Sequence, residues 1–136
     1  MSARHRLAER EVVPFSELLD EPFVATPEAA GAWRDYWLAV DERNGHPVRI
    51  GAVAKRSDEW LLAIANGLGV SLTPLSTARF YQRPDVVYRP VEGVSGSELA
   101  VVWRREGATA SVRDFVRVCL ETARAASGDG GFPLTD

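Results

Sequence analysis

The sequence predicts an α/β fold: a mostly parallel or mixed sheet with helices on its faces. Two observations carry this. The stretch Ile64-Ala-Asn-Gly-Leu-Gly-Val-Ser-Leu-Thr-Pro-Leu-Ser76 reads as the end of an amphipathic helix, a glycine turn, a buried strand and a Pro-started second helix. Strand-like and helix-like segments also alternate along the rest of the chain, as βα units do. Sheets of this kind bind ligands outside the carboxyl ends of their strands.

Residues 1–14 read as polar and irregular, and Pro14 to Leu19 as a short helical turn broken at Asp20-Glu-Pro22. Phe23-Val-Ala-Thr26 reads as a strand. Thr26-Pro27-Glu28 then offers a capping oxygen, a proline suited to a first helical turn and an acid near the positive helix end. Trp33, Tyr36, Trp37 and Val40 follow at helical spacing, and Asn44-Gly45 closes that helix. Pro47 to Ala54 reads as the second strand. Ser57 is the expected cap of the next helix, with Asp58 and Glu59 in its first turn and the stripe Leu61, Ile64, Ala65, Leu68 behind them.

Val70 to Thr73 is the third strand and Leu75 to Tyr81 a short helix. Pro84-Asp85 turns the chain into a strand over Val86 to Val91. Glu98 to Arg105 is nearly continuous in apolar residues, as a strand buried on both faces would be. Ser111-Val-Arg-Asp114 resembles a capping box, and Val112, Phe115, Val116, Cys119 and Ala123 make the stripe of a last helix. Ser127 to Asp136 is rich in Gly and Pro and is expected to be a disordered tail.

The 136 residues suffice for one domain with its own core, and 26% charged residues are ordinary for a globular chain. A net charge of −3 argues against non-specific nucleic-acid binding, which requires a basic surface. One cysteine, Cys119, allows no internal disulfide and makes a thiolate metal site implausible; it fits a buried structural thiol. No apolar run approaches a membrane span, and Met1-Ser-Ala-Arg-His-Arg6 lacks the apolar core of a signal peptide. The expected compartment is the cytoplasm.

The two helix starts are the centre of the functional argument. In a parallel sheet both open at one edge, and each offers free backbone N–H groups, a hydroxyl and a positive dipole end. Lys55 (the only lysine) and Arg56 precede the second. This arrangement suits a carboxylate or another small anion. The plainer alternative is that Thr26 and Ser57 cap their helices and the cations are solvated. Trp33 and Trp60 lie early in their helices and are the better pocket candidates among the four tryptophans. His5 and His46 read as surface residues, with no partner at metal spacing and no triad. The adjacent acids Asp41-Glu42 and Asp58-Glu59 diverge on a helix, so they make a poor acid–base pair. Gly67-Leu-Gly69 ends a helix and lacks the rest of a phosphate-binding loop. No cofactor, metal or catalytic residue is expected, and no enzyme.

Four segments, in order, carry a family resemblance. His5-Arg-Leu-Ala8 is similar to an "HPLA" entry, and Phe15 to Val24 to a "dL…epfv" segment. Ala63 to Pro74 is similar to "lVaaGlGvallP". Val86 to Val91 followed by Glu98 to Arg105 is similar to "gvvyrpl…elalawrr". Together they resemble the effector-binding domain of LysR-type transcriptional regulators. The resemblance implies a Rossmann-like three-layer sandwich of the type 2 periplasmic-binding-protein kind. Residues 5–91 would be its second subdomain and 98–126 the returning strand and last helix of the first, giving a single truncated domain over 1–126 with a tail at 127–136. The DNA-binding region and the front of the first subdomain have no counterpart here.

By the same resemblance the cleft wall comprises Ala25, Thr26 and Pro27, then Ala54, Lys55, Arg56 and Ser57, with Pro74 a weaker candidate. The implied function is sensing a small, carboxylate-like effector, with no direct DNA binding by this chain. The returning strand Leu99 to Trp103 lacks its usual partners. It would join its own sheet or pair with a second copy, unless the chain is a fragment, and the last helix is the other candidate oligomer contact. The competing reading is an orphan interaction or dimerisation module without ligand or DNA binding.

Overall fold

The computed structural model describes residues 1–98, 100–104, 106 and 109–127. Residues Met1–Ser97 form one compact unit and the described residues from Glu98 onward a second.

In the first unit the organising strand is β2 (Pro22–Ala25). It pairs in parallel with β3 (Arg49–Val53), and Phe23 bridges in parallel to Val70 on the third strand-like segment. Side chains alternate across a strand. Phe23 and Ala25 accordingly join a cluster with Leu7, Val13, Phe15, Leu18, Leu38, Ala39 and Val70. Val24 joins the other cluster, with Ala54, Ala63, Ile64, Ala65 and Val86. A second parallel ladder joins β1 (Val13–Pro14) to β4 (Val91–Glu92).

The N-terminal stretch is not irregular surface. Leu7, Ala8 and Val13 are buried, and Ser2 bridges antiparallel to Val86. The Arg89 guanidinium donates to the Ala8 carbonyl at 2.8 Å, tying that turn down. His5 is also drawn in: its Nδ1 accepts from Leu7 N–H at 3.2 Å and its Nε2 lies 3.3 Å from Glu21. His46 meets Asp20 at 3.0 Å.

Between β2 and β3 the expected long helix is broken into a 3₁₀ turn (Glu28–Ala30), α1 (Ala32–Trp37) and a second 3₁₀ turn (Asp41–Arg43). Gly31 at φ +52° and Ala39 at φ +49° are the breaks. Its aromatic stripe does not face the core: Trp33 is 60% exposed, and Tyr36 and Val40 are exposed too. Leu38 and Ala39 enter the core in their place, together with Arg43, which is only 2% exposed. Its Nε donates to Leu38 O at 2.9 Å, and Nη1 to Leu19 O at 3.1 Å and Pro47 O at 3.4 Å. The guanidinium carbon lies 4.8 Å from the Phe23 ring centroid and 5.7 Å from that of Phe15. Burial lowers its pKa. Nothing in the sequence marks this arginine as internal.

Helix α2 (Ser57–Ala65) follows β3 and buries Leu61, Ala63, Ile64 and Ala65, but Leu68 is exposed beyond its end. Gly67, at φ +73°, terminates it. The third strand is reduced to the bridge at Val70, and the short helix α3 spans Thr77–Phe80. The expected strand over 86–91 is a bridge at Val86 and the two-residue β4, because only those points meet a partner.

In the second unit residues 100–104 carry no ladder, and Val102 is 87% exposed. The expected doubly buried strand is thus not formed among the described residues, since an apolar run becomes a strand only beside another backbone. Helix α4 spans Ala110–Ser127. Its N-terminal hydroxyl is that of Thr109, which accepts from Val112 N–H at 3.4 Å; Ser111 lies inside the helix. Cys119, expected to be buried, is half-buried. Within the expected tail, residues 128–136 lie outside the described residues.

Candidate functional site

Parallel pairing of β2 and β3 brings the two expected ligand loops together. Ala25 is in register with Val53, and Ala54 N–H donates to Ala25 O at 2.9 Å. Residues 25–27 and 54–57 therefore leave the sheet at the same edge, at the carboxyl ends of adjacent strands. Ala25 and Ala54 are buried and form the floor of that edge.

Thr26 does not cap a helix. Its hydroxyl oxygen is buried without a hydrogen-bond partner, one of two such side-chain atoms among the described residues; the other is Arg43 Nη2. The Thr26 carbonyl is held by Arg34, whose Nε donates to it at 3.0 Å. Pro27 immediately precedes the first 3₁₀ turn. Ser57 does not cap α2 either: the cap position is Arg56, at φ −131° and ψ 156°, and Ser57 is the first helical residue. Glu59 reaches back instead, its Oε2 accepting from Lys55 N–H at 2.9 Å. This bond ties the residue before the cap to the first turn of the helix.

The two cations differ. Arg56 is committed to Asp58: its Nε donates to Oδ1 at 3.0 Å and its Nη2 to Oδ2. That hydrogen bond holds the Asp58 carboxyl below its ordinary range and raises the guanidinium. Lys55 is exposed, and its ammonium has no carboxylate partner among the described residues. The pair expected from sequence thus reduces to one uncommitted cation.

The remaining expected residues are less convergent. Pro74 is half-buried and opens the α3 turn, its carbonyl accepting from Thr77 N–H at 3.0 Å. Trp33 stacks on Tyr36 at 6.3 Å and meets Trp37 edge-on at 5.4 Å, forming an exposed aromatic group beside Arg34. Trp60 packs on the cluster that contains Ala54, edge-on to Tyr81 at 6.5 Å. An open cleft of about 500 Å³ lies elsewhere, lined by Ala78, Gln82, Arg83, Pro84, Val86 and Tyr88; none of the expected ligand residues lines it. No group of three or more potential metal ligands occurs among the described residues.

Two residues of the site escaped the sequence reading. Glu59 had a signal, an acid at the third helical position. Arg34 had none, since its partner is a backbone carbonyl across a turn.

A comparison with protein families decides the identity. The LysR substrate binding domain matches residues 1–124. The chain belongs to this family. Membership gives it the α/β fold of periplasmic-binding-protein type and a regulatory, effector-binding role. No curated protein matches the chain. No helix among the described residues is long and apolar enough to cross a membrane.

Proposed function

We propose that this LysR-family chain is a sensory module that takes a small anionic metabolite at the edge formed by residues 25–27 and 54–57. One observation carries the reading: parallel pairing sets two strand ends side by side, one followed by Thr26, whose hydroxyl is buried and unbonded, the other by Lys55, whose ammonium has no carboxylate partner among the described residues. An orphan polar atom is costly and finds a partner in a ligand or water. A carboxylate bound there would accept from the Lys55 ammonium and, once the edge opens to admit it, from the Thr26 hydroxyl, and that rearrangement would bias a dimer equilibrium through differential affinity.

In this reading 5–91 is the second subdomain of a three-layer sandwich, 98–126 the returning segment and last helix, and the compartment the cytoplasm. The chain reads no DNA itself and associates with a second copy through residues 99–103 or the last helix. The interaction-module alternative draws on the exposed apolar side chains of α4, Phe115, Val118 and Leu120.

A thermal-shift screen of small carboxylates tests the proposal. A ligand at a hundred times its dissociation constant adds about 2.7 kcal/mol of stability. The shift is expected to vanish in Lys55→Ala and to shrink in Thr26→Val. Arg56→Ala should retain most of it, because that guanidinium already serves Asp58. A ligand whose shift survives Lys55→Ala refutes the site. A cooperative melt with no ligand anywhere in the screen favours the interaction module.

A further inference from the structure

Helix α4 carries an apolar seam at heptad spacing. Half-buried Val112, Val116, Cys119 and Ala123 recur at spacings of four, three and four, the seam of a two-stranded coil. Phe115 and Leu120 flank that seam on opposite sides and are 62% and 43% exposed. The far face holds the ion pairs of Arg117 with Asp114 at 3.3 Å and with Glu121 at 3.2 Å, with Val118 exposed beside them.

We propose that α4 pairs in parallel with α4 of a second copy. In that arrangement like seam positions meet across the axis, Val116 on Val116 and Cys119 on Cys119. Phe115 of one copy then lies against Leu120 of the other, five positions on, as flanking residues of parallel coils do. Phe115 and Leu120 are thereby covered in both copies by the two-fold symmetry, while Val118, 50% exposed, stays outside the contact. An antiparallel pair is worse matched, because flanking positions then meet their own kind and Leu120 faces Arg113. The 18 residues of α4 span about 27 Å, so the contact is short and the dimer reversible.

This inference rests on the homo-oligomer reading and is independent of effector binding. Its test is sedimentation equilibrium of the 136-residue chain, at roughly micromolar to hundred-micromolar concentration. A concentration-dependent dimer is expected, with Leu120→Asp and Phe115→Asp each weakening it at least tenfold and Arg117→Gln leaving it intact. Circular dichroism shows whether each variant still folds. Oxidised glutathione should join two Cys119 thiols into an interchain disulfide, releasing two reduced glutathione molecules, in proportion to the dimer present. A monomer throughout the range overturns the proposal. So does a dimer that neither Asp substitution weakens, or one that fails to cross-link at Cys119. Lys55→Ala should leave the dimer unchanged, which separates this result from that of the ligand screen.

Discussion

Arg43→Ala is expected to lower the melting temperature by roughly 10–20 °C, corresponding to about 3–5 kcal/mol. The side chain closes three backbone carbonyls, those of Leu38, Leu19 and Pro47, and covers two aromatic rings of the core. Each hydrogen bond to a charged donor contributes about 1.5–3 kcal/mol, and the desolvation of a buried guanidinium offsets part of the sum. Truncation leaves those carbonyls unpaired and opens a cavity between Phe15 and Phe23. Arg43→Lys should recover less than half of the loss, because an ammonium cannot reach all three acceptors from one plane. Circular-dichroism melts decide it. An Arg43→Ala variant within 1 kcal/mol of the parent would show that the arginine is tolerated and not required.

A methyl group added at Gly69 or Gly51 should cost a similar amount, for a steric reason. A Cβ at Gly69 would stand 2.7 Å from Pro22 O and 2.9 Å from Phe23 C, both backbone atoms of the central strand. At Gly51 it would overlap the Leu68 carbonyl and lie 2.9 Å from Pro22 Cβ. Gly51 is also the extra residue of a bulge, since Ile50 pairs with Phe23 and Ala52 with Val24. Backbone cannot move aside as a side-chain tip can, so overpacking of about 3 kcal/mol or more is expected at each site. Two controls set the scale. Gly67→Ala meets open space at φ +73° and should cost only about 1–2 kcal/mol. Gly96→Ala also meets open space, with no positive φ, and should be near neutral. Urea midpoints should rank Gly69 and Gly51 as the most sensitive positions, Gly67 next and Gly96 last; any other order refutes the steric account.

Local signals proved good at locating elements and poor at fixing their partners. The strand over 23–26, the helix after Ser57 and the turn over 67–69 were legible because periodicity, acids and glycines act within a few residues. The same signals misread the segment from Thr26 to Gly45. Its tryptophans and tyrosine repeat as a buried stripe does, yet Gly31 and Ala39 break the helix and turn that stripe outward. The strand over 98–105 was inferred from apolarity alone and has no ladder at 100–104, because ladder bonds come from another segment.

The candidate site divides in the same way. Residues 25–27 and 54–57 were legible as loops after strands, and parallel pairing makes them neighbours. That Arg56 is tied to Asp58 while Lys55 is not, that the Thr26 hydroxyl is buried without a partner, and that Arg34 holds the Thr26 carbonyl all depend on three-dimensional placement.

The sequence by itself determined the α/β class, the family and the pair of loops, since these are written in local pattern and motif order. Only the tertiary structure decided which polar groups are spent and which are free, and that an arginine near a turn is the buried tie of the core. Hydrogen-bond satisfaction and burial are properties of segments far apart in the chain, and no window of neighbouring residues contains them.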